Sequence, residues 1–305
     1  MTPLYGAEPG TKRVNRKTGE VRRVRFDADA GWHAEGGGGS VRGIKFALLS
    51  TRRPEGRFIL AVEHVEKDEA KAALEMLFRA KPHAPGAQAL VWDMILRGAH
   101  LRRVMNELGL LPIVPVPAKD NPEKGRGRRA GTYVPKIIDL DVIPVVHPDG
   151  STVLVTISGR NGWVTIKELT ETGAPHYEHL RVVRIQRHPD RERFRFYGQY
   201  RLPERYASQI VTVRHHQNEE DDKRGLNRAE NLRAIPQGSE DFTRLYRFKP
   251  DAESINSGIE RSLDDQRASA KGWRALMVDL LGHARLVNAI TLARSRGRAR
   301  ASPAA

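Results

Sequence analysis

Between residues 43 and 116 the chain alternates two kinds of hydrophobic pattern, and that alternation constrains the fold more than any other feature of the sequence. Residues 43–51 (GIKFALLST) and 57–65 (RFILAVEHV) are apolar and β-prone, and between them Arg53-Pro54-Glu55-Gly56 is turn chemistry, so the two runs make a hairpin. Residues 67–80 then carry Ala70, Leu74, Leu77 and Phe78 at amphipathic-helix spacing. Residues 87–92 (AQALVW) form a short buried strand with Asp93 just past its end. Residues 95–108 make a second helix, with Leu96, Ala99, Val104 and Leu108 inward and Gly109 as its stop. Residues 111–116 (LPIVPV) are a strand whose prolines place it near an edge. Hairpin, helix, strand, helix, strand is part of an α/β domain with a mixed sheet.

The pattern changes at Lys119. Residues 119–129 (KDNPEKGRGRR) are polar and basic, and strand pairs dominate the segment beyond them. Residues 137–146, a His147-Pro148-Asp149-Gly150 turn, 151–158, a Gly159-Arg160-Asn161-Gly162 turn and 163–166 read as a meander. Residues 179–186 and 193–201 read as a hairpin across His188-Pro189-Asp190. From Asp241 to Arg294 the pattern is helical, with Trp273, Leu276, Met277, Leu280, Leu281, Ala284 and Val287 at helical spacing. The expected organisation is therefore a first α/β part at 1–118, a β-rich insertion at 119–235, a closing helical part at 236–297 and an unstructured tail at 298–305. The glycine run Gly36 to Gly39 precedes a strand and lacks the Gly-Lys-Ser/Thr helix start of a phosphate cradle, so it reads as a loop.

Charge narrows the partners. Arginine (39) and lysine (13) together exceed Asp+Glu by 15 over 305 residues, and the sequence pI is about 10.3. Such an excess favours a polyanion, since clustered cations release counterions from phosphate backbones. Zero cysteines exclude disulfides, thiolate metal sites and cysteine nucleophiles, and fit a reducing compartment. Residues 1–10 lack the apolar core of a secretory signal. Residues 276–292 contain Asp279, His283 and Arg285, which makes them a buried helix rather than a membrane span. The expected location is cytoplasmic.

Two acids occupy positions suited to chemistry. Asp93 follows a strand that leads into a helix, where open α/β sheets place ligands, and Glu253 lies near the start of a helix. Each also has an ordinary reading, because acids cap strand-to-helix junctions and complement the macrodipole in a first turn. Their neighbours add to this. Tyr246-x2-Lys249-x3-Glu253, the preceding Asn227-Arg228-Ala229-Glu230-Asn231-Leu232-Arg233, the run Val91 to Gly98 and the run Arg25 to Trp32 stand in an order, with a β-rich insertion, that resembles bacterial insertion-sequence transposases of the RNase H-like DDE class with a Y-x2-R-x3-E-x6-K signature.

The resemblance implies an RNase H-like mixed sheet with helices, interrupted by a β-rich insertion. Asp93 would be the second and Glu253 the third metal-binding acid, holding Mg2+ or Mn2+. Tyr246 and Lys249 would contact DNA phosphate, Lys249 standing where the signature has arginine. The signature lysine is replaced by Glu260, with Arg261 beside it as the substitute cation. Asn256 and Glu260 fall on the helical face of Glu253 and would help orient water or metal. Partners would be the element's terminal inverted repeats and target DNA, bound by a homodimer on paired ends. The DNA-tracking surface would combine the 119–129 loop, the strand arginines of the insertion and the run Arg294-Ser295-Arg296-Gly297-Arg298.

The first acid of the class has no clear counterpart. The loop after that acid resembles residues 27–32, so the chain reads as starting inside the catalytic domain, with Asp27 or Asp29 as substitute ligands. A non-catalytic, DNA-binding transposase remnant is the alternative. A second one is an HNH-type endonuclease, from His215-His216 followed by Asn227 and Asn231-Leu232, although Pro236 and Gly238 oppose the helix that motif needs. His176-Tyr177-Glu178-His179 has loose metal-ligand spacing on a hairpin surface.

Overall fold

The computed structural model describes residues 3–5, 12–14, 18–23, 27–34, 39–93, 95–116, 137–191, 193–262 and 271–301. In chain order the elements begin with β1 (Pro3–Tyr5), β2 (Lys12–Val14), β3 (Val21–Arg23), β4 (Gly31–Ala34), β5 (Ser40–Arg53), β6 (Gly56–His64) and α1 (Glu69–Ala80). Next come β7 (Ala89–Val91), α2 (Gly98–Asn106), β8 (Leu111–Ile113), β9 (Ile137–Val146), β10 (Thr152–Arg160), β11 (Trp163–Leu169), β12 (Pro175–His179), β13 (Arg181–Asp190), β14 (Arg193–Arg201) and β15 (Ile210–Arg214). The chain closes with α3 (Glu219–Lys223), α4 (Arg228–Asn231), α5 (Glu240–Tyr246), α6 (Lys249–Ser262) and α7 (Trp273–Ala301). This mixed α/β set forms two compact units, residues 1–84 with 248–305, and residues 85–247.

In the first unit the expected hairpin is β5 against β6, in register from Phe46↔His64 to Arg53↔Gly56, with a bulge between Leu49 and Ser50. β1 and β4 pair antiparallel with the start of β5. The alternation of β5 and β6 buries Ile44, Phe46, Ile59 and Val62, and this apolar face is covered by Ile255 and Ile259 of α6 and by Leu276, Leu280 and Ala284 of α7. Asn288 of α7 pairs with the backbone of β6: its Oδ1 accepts from Ile59 N and its Nδ2 donates to Ile59 O, both at 2.9 Å. α1 is capped by Asp68, whose side chain accepts from Lys71 N, and buries Ala73, Met76 and Leu77.

In the second unit β7 and β8 pair in parallel around α2, a β-α-β unit. The expected three-stranded meander is β9, β10 and β11, which β12, not foreseen, extends to the sheet β12-β11-β10-β9; β13-β14-β15 form a further antiparallel sheet. Leu140, Val155, Ile157, Val164 and Ile166 of the meander share one core with Tyr200, Val213 and Leu232. Residues 85–118 and 236–247, read from sequence with the outer α/β part, group here with the β-rich segment. Arg233, buried, donates from Nε to Val114 O just past β8. Arg187 of β13 donates to Gly109 O at the end of α2.

Several boundaries differ from the sequence reading. His188, Pro189 and Asp190 are strand, not turn; the chain reverses at Arg191, whose φ is 52°. β13 is an outer strand, where a proline's missing N–H costs no ladder bond. His179 belongs to β12, not to that hairpin. α7 continues to Ala301, beyond the expected boundary at 298. Residues 119–129, expected to be a basic loop, lie outside the described residues. By length and composition Trp273–Gly297 could cross a membrane, yet Leu276, Leu280 and Ala284 are packed on the β5–β6 sheet.

Candidate active site

Asp93 lies two residues past β7, in the second unit, with its side chain exposed. Its Oδ1 accepts from Ile95 N at 3.0 Å, an Asx turn that breaks the strand and starts the approach to α2. The carboxylate therefore stands at the carboxyl end of a parallel strand, turned to solvent. α2 begins at Gly98, whose φ of +44° favours glycine; a Cβ there would lie 3.0 Å from Asn227 Nδ2 and 3.2 Å from Glu230 Oε2.

Glu253, Lys249 and Arg261 are on α6, in the first unit. Glu253 is 62% exposed and its Oε1 accepts from Lys249 Nζ at 3.0 Å, an i,i+4 pair. Lys249, expected on phosphate, thus spends its charge on the acid beside it. Arg261 donates from Nε to Ser257 O of its own helix. Eight residues after Glu253 it points about 80° away around the helix. Asn256 is half-buried, and the side chain of Glu260 lies outside the described ones. α6 is fixed to the hairpin by Arg52, which grips Asp251 at 2.8 and 2.7 Å, and by Arg57, which donates to Ser254. Tyr246 ends α5, in the second unit, its ring stacked on Phe242 at 4.9 Å. The signature is therefore divided between the two units, with Tyr246 and Asp93 in one, and Lys249, Glu253 and Arg261 in the other.

Asp27 and Asp29 have a structural use. Asp27 is 6% exposed. Its Oδ1 accepts from Asp29 N at 3.1 Å and its Oδ2 from Gly272 N at 3.0 Å. Asp29 Oδ2 accepts from Trp273 N at 3.1 Å. Both carboxylates thus cap the first turn of α7, whose open N–H groups and dipole favour negative charge. Arg42, buried, holds the 27–30 loop in place by donating to the carbonyls of Asp27 and Ala30.

The adjacent histidines are core residues. His215, 1% exposed, is bonded from Nε2 to Tyr200 OH at 2.8 Å. Burial, with Arg228 and His216 nearby, pulls its pKa down to about 3. His216 Nδ1 lies 3.1 Å from Phe196 N and 3.0 Å from Phe196 O. Beside them a buried ionic cluster links β15, α3 and α4: Asp221 accepts from Arg214 and Arg228, and Arg228 reaches Asp141 at 3.2 Å. The Asn-Leu stretch that suggested an endonuclease forms α4, with Asn227 as its N-cap.

No local pattern in the sequence announces a cleft of ≈ 630 Å³ at the end of β14, whose lining includes Arg102, Arg193, Arg195 and Arg214 together with Asp141, Asp190, Glu219 and Glu220. Its residues are far apart in sequence, so only the sheet register could have disclosed it. Among the described residues no three His, Asp or Glu side chains converge as a metal site. No family model, curated protein or solved structure matches the chain.

Proposed function

We propose that this chain acts on DNA as a protein of the RNase H-like DDE transposase type, in the cytoplasm, with element ends and target DNA as partners and a homodimer as the assembly on paired ends. The observation that supports this most is the place of Asp93: the second acid of the resemblance is solvent-facing just past the carboxyl end of β7, in the two-stranded parallel β7–β8 sheet at the start of a β-α-β unit. The order of pieces also supports it, since an antiparallel hairpin, a helix, a β-α-β unit, a β-rich segment and closing helices succeed one another as the resemblance implies. The net charge of +15 suits a phosphate backbone.

On this reading Mg2+ or Mn2+ would be held by Asp93 and Glu253. Two-ion chemistry needs several carboxylates converging from different elements. The residues present do not make that set: Asp27 and Asp29 are committed to α7, and Glu253 is paired with Lys249. The same observations favour a second reading, a transposase-type protein that binds DNA without cutting it.

The two readings part on one experiment. Protein incubated with Mn2+ or Mg2+ and plasmid bearing the element's inverted repeats should nick or join DNA, and Asp93→Ala and Glu253→Ala should each abolish this. Salt-dependent DNA binding with no nicking under either ion would leave the non-catalytic reading standing and the catalytic one refuted.

A further inference from the structure

The register of β13, β14 and β15 determines which side chains share the solvent face of their sheet. Arg181↔Arg201, Arg184↔Gln199, Gln186↔Tyr197, His188↔Arg195 and Asp190↔Arg193 are cross-strand partners, and β15 adds Arg214 opposite Tyr197 and Thr212 opposite Gln199. Side chains alternate between faces, and burial confirms the assignment. Phe196, Gly198, Tyr200 and Val213 are buried on the inner side, whereas Arg193, Arg195, Arg201 and Thr212 are exposed. Six arginines therefore share one face; Asp190 is the one acid among its strand positions, and Asp141, Glu219 and Glu220 line the cleft at its Arg193, Arg195 and Arg214 end, so the uncompensated charge lies with Arg181, Arg184 and Arg201.

Two of the six are already paired, Arg195 with Asp190 at 2.5 Å and Arg214 with the buried Asp221. The side chains of Arg181, Arg184, Arg193 and Arg201 make no ion pair or hydrogen bond among the described residues. Arg181 and Arg201 stand directly opposite one another, an arrangement of like charges that destabilises a sheet. A polyanion laid across the strands removes that repulsion. Along β14, Arg193 and Arg195 are about 7 Å apart and Arg201 about 20 Å further, so the cations form a line rather than a point.

The face also indicates which nucleic acid it fits. Binders of single strands offer aromatic rings on which bases stack. Here the one Phe, Tyr or Trp among the strand positions of this face, Tyr197, is packed edge-on against His188 and His216. What remains are guanidinium forks, which match phosphate oxygens, and phosphate contacts carry no base identity.

We propose that the outer face of β13–β15 is a contact surface for the phosphate backbone of double-stranded DNA. The proposal deepens the reading of a DNA-acting protein and rests on it for the identity of the polyanion; it does not depend on catalysis. Binding of the full chain to a labelled random-sequence duplex is measured between about 50 and 200 mM salt, where each phosphate contact adds about 0.9 to the logarithmic slope. R184Q/R193Q/R201Q should lower the slope by about 2 to 3, R184K/R193K/R201K should retain it, and R53Q/R103Q/R285Q, an equal charge change elsewhere, should leave it near wild type. Circular dichroism establishes that each variant is folded. A face variant whose slope matches wild type, or a control that lowers it equally, overturns the surface while leaving DNA as partner. Tighter binding to single strands than to duplex overturns the choice of duplex. Wild-type protein that shows no salt-dependent duplex binding refutes the DNA reading itself.

Discussion

Both carboxylate oxygens of Asp27 are occupied by backbone N–H groups, those of Asp29 and Gly272, which shows why a residue's place in a motif does not establish its role. A carboxylate near a strand end can hold a metal or cap a helix, and the choice depends on a segment more than 240 residues away in sequence. Asp27→Ala should therefore act on stability: loss of the cap and its turn should cost about 1–2 kcal/mol, read as a lower urea midpoint. An unchanged midpoint would show that the cap is dispensable. His215 makes a second residue-scale prediction. Its pKa is about 3 in the folded chain and near 6.5 when unfolded. Above the unfolded value neither state is protonated and nothing is lost. Below it the unfolded chain gains a proton that the folded one refuses, so stability falls with pH until the folded value is reached. The loss amounts to about 2 kcal/mol from pH 6.5 to pH 5. His216, also lowered chiefly by burial, acts in the same direction. Denaturant unfolding at a series of pH values should show this slope, and His215→Phe should flatten it.

At the scale of elements, α7 joins two kinds of information that the sequence presents separately. Its inner stripe, Leu276, Leu280, Ala284 and Val287, was legible from helical spacing, because burial of one face imposes that period. Asn288 on the same stripe was not legible. It breaks the apolar pattern, and its partner is the backbone of Ile59 beside the β5–β6 bulge, a feature visible only once the strands are paired. Asn288→Ala would leave an N–H and a C=O of β6 without these bonds and should cost about 1–3 kcal/mol; Asn288→Asp keeps the acceptor for Ile59 N but sets a carboxylate oxygen against Ile59 O and should also destabilise. Equal urea midpoints for wild type and Asn288→Ala would disprove the role. Pro189 misled in the other direction: read as turn chemistry, it lies in an outer strand that can accommodate it.

For the whole molecule, the α/β character and the β-rich segment were legible because hydrophobic period reports local burial. The division into units was not, because it depends on long-range contacts such as Arg233 on Val114 and Arg187 on Gly109. The position of Asp93 past a strand was legible for the local reason that Asx turns end strands; whether it is catalytic was never a local question. The strand β14 carries a consequence for how such a chain can change over time. Odd positions bear the arginines and even positions build the core, so one residue inserted into or deleted from β14 itself would turn the remainder of the strand over, sending Arg201 inward and Tyr200 into water. The strand can drift in composition at its outer positions, and it cannot drift in length. A library of single-residue insertions and outer-position substitutions across residues 194–200, sorted for folded protein, should retain the substitutions and lose the insertions.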